Sequence, residues 1–378
     1  MMTLNFYGSE VAERFSRELR ESLDGVIRHL MVTDREDANC GFVSAALPKY
    51  TWSETMWTRD CGTLLREFVA WGRLDEAKML CEALIRQVEK GDNGYCTFPE
   101  KFVKDEKASG SELDGTAAIL IGMCMLFRAL GDGDPTKATI SAFLLDEAAP
   151  VGYIISCLAE QPLLAGSGEF GGGCGIEGLY VNAVQNNLVA LCLYACAPVY
   201  TTLGCPEIAR TCRDIAKKLE TGILAHLVDE EGKFIWCVEP DTMKPDPAVL
   251  NYIINKGAGL INGILCMASD VHGLELSEEN FYGYRHGERQ FDHLYSYPNR
   301  RELFERYGIW TQFDDFRPGS TGPSYGQGYA LQCMLLLNRL AMADKALTYL
   351  TNETYSPIPE FVIQRESPYY FFERSYCP

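Results

Sequence analysis

The sequence predicts an all-α fold closed into a double ring of helical hairpins, an (α/α)6 toroid. Three observations predict it. Strand signals are sparse, whereas amphipathic helical segments recur along the whole chain. The helices come in pairs broken at glycine or proline. Within a pair the first member is apolar all round and the second on one side only, the signatures of a buried and a surface helix respectively. Alternating buried and half-buried helices make an inner and an outer ring. No Ser/Pro-rich linker or shift of composition divides the 378 residues, so 1–378 reads as one domain with a short β-hairpin excursion.

In order, residues 10–31 are amphipathic at helical spacing. Segments 60–71 and 74–89 form a pair broken at Gly72, with Asp75 a first-turn acid on the second. Segments 113–130 and 136–160 are parted by Gly-Asp-Gly-Asp-Pro, and 177–197 and 206–228 by Leu203-Gly204-Cys205-Pro206. Residues 229–239 read as the hairpin excursion. Helices resume over 256–269 and 286–307, and a last pair covers 326–341 and 342–351 before the tail. The first members (GTAAILIGMCML, VNAVQNNLVALCLYA, GAGLINGILCMA, GQGYALQCMLLL) are small and apolar; the second (LDEAKMLCEALIRQVE, PEIARTCRDIAKKLE) carry the charge. Inner helices thus begin near Asp60, Asp114, Glu177, Lys256 and Gly326, spaced by 54, 63, 79 and 70 residues. Each interval holds one hairpin plus loops, and the N-terminal helix is expected to complete the ring. The irregular spacing argues against a solenoid of uniform repeats.

Composition bounds the partners. Lys and Arg number 34 against 52 Asp and Glu, a net charge of −18. A field of that sign repels phosphate backbones and anionic lipid, so neither nucleic acid nor a membrane surface is an expected partner. The 15 cysteines are scattered and contain no Cys-x-x-Cys pair, which reads as small buried hydrophobes in a reducing compartment. The five histidines (His29, His226, His272, His286, His293) do not stand beside them at ligand spacing, so no metal is expected. The N-terminal run MMTLNFYGSEVAERF lacks the basic-then-apolar pattern of a signal peptide, and the apolar stretch 188–203 is too short to span a bilayer. A cytoplasmic protein is expected. None of the glycine runs (171–173, 131–133, 326–328) follows a strand in a βαβ unit, so no nucleotide cofactor is expected.

In a ring of this kind the loops before all inner helices emerge around one mouth. The residues there are Tyr50, Trp52, Trp57, Arg59 and Asp60 (KYTWSETMWTRD), Glu112 and Asp114 (SELDG), Glu169 and Glu177 (GEFGGGCGIEG), Lys256, Tyr325 (PSYGQG) and Glu360 (SPIPEF). Glu100, in Phe98-Pro99-Glu100-Lys101, is a further rim candidate. Carboxylates and aromatics converge, as sugar sites require: aromatic faces for stacking, carboxylates for hydroxyls and acid–base work. Each residue also has a plainer reading. Arg59–Asp60 fits a structural pair, Glu177 a first-turn acid on the helix dipole, Asp114 a helix brace, and Glu100 and Glu360 surface acids.

The run Met56-Trp57-Thr58-Arg59-Asp60, followed by a Leu/Arg-rich helix, resembles the W-x-R-D signature of the six-hairpin glycosidases, the glucoamylase and amylo-1,6-glucosidase group. Glu112-Leu113-Asp114-Gly115-Thr116-Ala117 is similar to their second-hairpin segment. Gly175 to Ala183 (GIEGLYVNA) resembles the stretch that opens their third hairpin, and Ile358-Pro359-Glu360 the late segment carrying the general base. The resemblance covers positions 50–205 and, thinly, the end of the chain. It implies inverting hydrolysis of α-linked gluco-oligosaccharides from the non-reducing end: a protonated carboxylic acid donates to the glycosidic oxygen while a second carboxylate activates water on the opposite face. It implies Glu360 as base and Glu177, or alternatively Glu169, as acid. Arg59 and Asp60 would grip hydroxyls of the terminal sugar, Trp57 or Trp52 would supply a ring face, and Asp114 would brace the pocket. Two other functions suit a toroid: a sugar epimerase or polysaccharide lyase using His286 or His293 with Tyr325, and a non-catalytic carbohydrate-binding scaffold.

Overall fold

The computed structural model describes residues 10–48, 52–158, 162–166, 180–231, 235, 237–245, 283–296, 298–308, 310, 321–323, 330–331, 333–334, 337, 339–350 and 361–363. Helix α1 is Glu10–His29. Two hairpin partners follow, α2 (Thr58–Ala70) and α3 (Leu74–Gln87). Next come α4 (Leu113–Ala129), α5 (Pro135–Leu145) and α6 (Pro150–Cys157). The third pair is α7 (Ala183–Thr202) and α8 (Pro206–His226). The later helices are α9 (Gly283–Ser296), α10 (Pro298–Tyr307) and α11 (Leu340–Leu350). The expected helix at 256–269 lies outside the described residues.

Sequence explains where the inner helices stop. At Gly72, φ is 73°, and at Gly204 it is 77°, the left-handed geometry that glycine adopts without a Cβ clash. Arg73 N–H reaches Phe68 O at 2.7 Å and Gly72 N–H reaches Val69 O at 3.1 Å. Cys205 and Gly204 repeat the pattern on Tyr200 and Thr201, at 2.8 and 3.2 Å. These paired bonds satisfy carbonyls that a helix end otherwise leaves open. Starts are capped too. The Asp134 carboxylate accepts from Thr136 N–H at 2.9 Å with Pro135 at the first helical position, and Asn182 Oδ1 accepts from Gln185 N–H at 3.1 Å.

Helices α2, α4 and α7 form consecutive members of the inner ring, α2 packing on α4 and α4 on α7. Helix α4 is buried on all sides from Leu113 to Cys124, including polar Asp114 and Thr116, as its uninterrupted apolar run requires. Outer helices α3 and α8 bury one face only (Ala77, Leu80, Leu84; Ala209, Cys212, Leu219). α2 and α4 run in the same direction, because contacts advance together along both: Thr58 lies at Glu112, Gly62 at Ala118 and Leu65 at Gly122. Helix α1 packs against α11, so the first and last described helices meet. The described chain is an (α/α)6-type helical toroid.

The close approach of α2 to α4 depends on glycine. A Cβ built on Gly62 would stand 2.5 Å from the Ala118 carbonyl carbon and 2.6 Å from Ile119 N, both backbone. Backbone cannot rotate aside, so Gly62→Ala must push the helices apart. The expected loss is about 1–3 kcal/mol, read as a lower urea midpoint with unchanged m-value.

The structure departs from the sequence expectations in several places. The helix expected over 136–160 is two, α5 and α6, parted where the Asp146 side chain turns back on Ala148 N–H (2.7 Å) and Pro150 restarts the chain. The helix expected from 177 starts at Ala183, because Tyr180–Asn182 is a strand, β4. It pairs with β3 (Ala165–Gly166) and with β5 (Cys237–Val238), so the expected hairpin excursion instead supplies the edge of a three-stranded antiparallel sheet. The segment expected as 286–307 is α9 plus α10, with Tyr295 of α9 edge-on to Phe304 of α10 (ring centres 5.9 Å apart). Two further ribbons were not expected: β1 (Thr55–Trp57) with β2 (Lys101–Val103), and β6 (Thr321–Pro323) with β7 (Phe361–Ile363).

Every described cysteine is a free thiol, and most are buried, in keeping with their expected role as small hydrophobes. Cys124 and Cys196 touch across α4 and α7, Sγ to Sγ 3.7 Å; the hydrogen bond to Cys196, and then burial, push the Cys124 thiol well above the ordinary range.

Candidate functional site

The site is assembled where α2 and α4 begin. β1 runs straight into α2, with Trp57 extended at φ −80°, ψ 130° as the residue before the helix. Thr58 anchors that junction: its N–H donates to Glu100 O (3.1 Å) and its hydroxyl lies 2.7 Å from Pro99 O, 3.0 Å from Glu100 O and 3.3 Å from Glu112 Oε2. Glu112 N–H is held in turn by Phe98 O at 3.1 Å. Gly115 makes room for this knot, since a Cβ there would stand 2.3 Å from Thr58 Oγ1 and 2.9 Å from Glu112 Oε2. One loop, 98–100, thereby holds the starts of two inner helices in register.

Across the junction Arg59 Nη1 meets Glu112 Oε1 at 2.7 Å and Asp114 Oδ2 at 3.6 Å. The side chains are 13%, 8% and 1% exposed, so this is a buried array of one cation and two carboxylates. Asp114 Oδ1 also accepts Gly115 N–H at 2.8 Å. Both carboxylates stand at the positive end of the α4 dipole, where they are stabilised; Arg59 stands at the same end of α2, where a cation is disfavoured. Arg59 therefore gains nothing from its own helix and is placed for its partners across the junction. Among the described residues the carboxylates of the array outnumber its cation. Burial, and then the Asp114 charge, lift the Glu112 carboxyl to about 8 against the opposing pull of Arg59, with Glu100 adding to the rise. The rise favours the protonated form of Glu112.

Beside the array stands an aromatic pair. Trp52 is 48% exposed, with φ at 76°. That geometry is costly for a bulky side chain, and such strain clusters at functional positions. Its ring meets the Trp57 ring edge-on at 5.4 Å, and the Lys101 ammonium lies 5.0 and 5.2 Å from the two ring centres. The register of β1 on β2, Trp57 opposite Lys101, sets this arrangement.

The structure thus brings together Trp52 with Trp57, and Arg59 with Asp114. Asp60 sits half-buried in the first turn of α2. Glu100 contributes its backbone carbonyl to the junction while its side chain is exposed. Tyr50, Glu169, Glu177, Tyr325 and Glu360 lie outside the described residues. Glu112, which among the described residues makes the closest ion pair with Arg59, carried no role in the sequence reading, which placed the function of that segment on Asp114. Its only signal was position: the residue before a helix start, two ahead of Asp114 in Ser-Glu-Leu-Asp-Gly.

No protein-family profile matches the chain, and no curated protein matches it in sequence. Solved structures do match. The glucoamylase of Saccharomycopsis fibuligera superposes with a TM-score of 0.60 at 13% identity, over 95% of this chain and 83% of that one. A D-mannose isomerase superposes with a TM-score of 0.60 at 10% identity, over 99% and 95%. The cellobiose 2-epimerase of Spirochaeta thermophila also gives 0.60, at 13% identity over 98% and 96%. At such identities the likeness is one of fold, and it spans nearly the whole chain. The chain therefore has the six-hairpin (α/α)6 toroid, the fold of the six-hairpin glycosidases.

Proposed function

We propose that the chain is a carbohydrate-active enzyme, an inverting glycoside hydrolase acting on α-linked gluco-oligosaccharides from the non-reducing end. The observation that carries this reading is the buried Arg59–Glu112–Asp114 array at the starts of two neighbouring inner helices, flanked by the strained, exposed Trp52. Arg59, Asp60 and Asp114 would hold hydroxyls of the terminal sugar, the charged groups giving stronger hydrogen bonds than neutral ones. Trp52 and Trp57 would supply an apolar ring surface at the rim. The acid would come from Glu177, with Glu169 as alternative, and the base from Glu360; all three are proposals from the sequence. Inversion needs two such carboxyls about 6.5–9.5 Å apart, leaving space for water.

A second reading is isomerisation or epimerisation of a sugar, with His286 or His293 and Tyr325. It is favoured by the equal TM-scores of the mannose isomerase and the cellobiose 2-epimerase. One experiment separates the two: time-resolved proton NMR of the purified chain with malto-, isomalto- and mixed glucosides, reducing sugars included, beside a Glu360→Gln control. Hydrolysis with inversion releases β-glucose before mutarotation, and the control releases none. A changed reducing-end sugar without release of glucose would replace hydrolysis by the second reading. Silence of the wild type across the panel would overturn both.

A further inference from the structure

The third inner helix, α7, begins as α2 and α4 do, with polar side chains in its first turn. Asn182 and Gln185 are 0% and 1% exposed. Asn182 Oδ1 is used by the helix cap, accepting Gln185 N–H. Asn182 Nδ2 and both Gln185 amide atoms, Nε2 and Oε1, have no hydrogen-bond partner among the described residues. Asn186 shows what a structural amide looks like here: its Oδ1 accepts Leu164 N–H at 2.8 Å, and its Nδ2 donates to Leu164 O at 3.0 Å and Asn182 O at 2.8 Å. The place of the Gln185 amide is built by Gly166 of β3, where a Cβ would stand 2.3 Å from Oε1 and 2.5 Å from Nε2. An interior amide left unpaired is costly, and a position needing only packing is better filled by Leu or Met.

We propose that Asn182 and Gln185 bind ring hydroxyls of a neutral sugar at the start of α7, beside the groups that α2 and α4 present. This rests on the carbohydrate reading and extends it to a third inner helix and a ligand chemistry. The three open atoms are two donors and one acceptor. A hydroxyl both gives and takes a hydrogen bond, so adjacent hydroxyls satisfy all three; a carboxylate only accepts and leaves Gln185 Oε1 unpaired. Both side chains are closed from solvent in the ligand-free chain, so binding draws on a locally opened form and the apparent affinity falls with the fraction open.

The test uses the full chain, with calorimetric titration of D-glucose, D-mannose and maltose, and thermal unfolding without ligand. Gln185→Met keeps the volume and removes the amide; Asn182→Ser keeps a helix-capping oxygen and removes the donor. The expected result is a tenfold or greater loss of sugar affinity in Gln185→Met and a smaller loss in Asn182→Ser, with ligand-free Tm unchanged or raised in Gln185→Met. A structural amide would behave oppositely, with Tm lowered and affinity kept, and either result overturns the proposal. Asp114→Asn separates the two levels. If it loses sugar binding while Gln185→Met retains it, the carbohydrate reading stands and this inference falls. If the wild type binds none of the three sugars, both fall.

Discussion

Arg59→Met is expected to lower stability by about 3–5 kcal/mol at pH 8, because it leaves the buried Asp114 carboxylate, and whatever fraction of Glu112 is ionised, in the interior without their cation. The loss should shrink as the pH is lowered. Without Arg59 the Glu112 carboxyl loses the pull that opposes its rise, so its folded value goes up further and below that value the folded chain takes up the proton and sheds that buried charge. Urea midpoints of wild type and variant at pH 5 and pH 8 check this. Arg59→Lys should fall between them, since an ammonium keeps the charge but not the planar fork. A loss of equal size at both pH values would mean that Arg59 matters for packing alone. Sugar turnover should be abolished in Arg59→Met if the array holds substrate.

Glu112→Gln is expected to do the reverse, stabilising the chain at alkaline pH. The ordinary carboxyl value is 4.5 and the folded value about 8. Between them the folded state holds a proton that the unfolded state releases, so wild-type stability falls as pH rises from about 4.5 through about 8 and then levels. At 1.36 kcal/mol per unit the interval amounts to a contribution on the order of 5 kcal/mol. Glutamine is neutral throughout and removes that slope. The variant should match wild type at pH 5 and exceed it at pH 9, with Asp114 left as counter-ion to Arg59 at 3.6 Å. Identical pH profiles for the two proteins would mean that Glu112 is ionised in the fold and that the Arg59 charge outweighs burial. In the double variant, the penalty of losing Arg59 should be smaller than in wild type, a coupling that a double-mutant cycle measures directly.

Much of the fold was legible from local pattern. The all-round apolar run of α4 and the one-sided runs of α3 and α8 separated inner from outer helices, because burial on every side and burial on one side demand different sequences. Gly72 and Gly204 marked helix ends because left-handed caps need a residue without Cβ. The short strands were not legible. Three residues carry no readable period, and Tyr180–Asn182 becomes a strand by pairing with Cys237 and Val238, more than fifty positions away.

The same division holds at the site. By itself the sequence determined that the chain is a ring of helical hairpins, and that Trp57, Arg59, Asp60 and Asp114 stand at inner-helix starts. These follow from periodicity and capping, which are local properties. Only the tertiary structure decided that Arg59 reaches Glu112 across 53 positions, that burial and the Asp114 charge push the Glu112 carboxyl up, and that the Gln185 amide lies unpaired among the described residues beneath Gly166. Partners, charge balance and desolvation arise where distant segments meet in a dry interior, and no local pattern records which segments will meet.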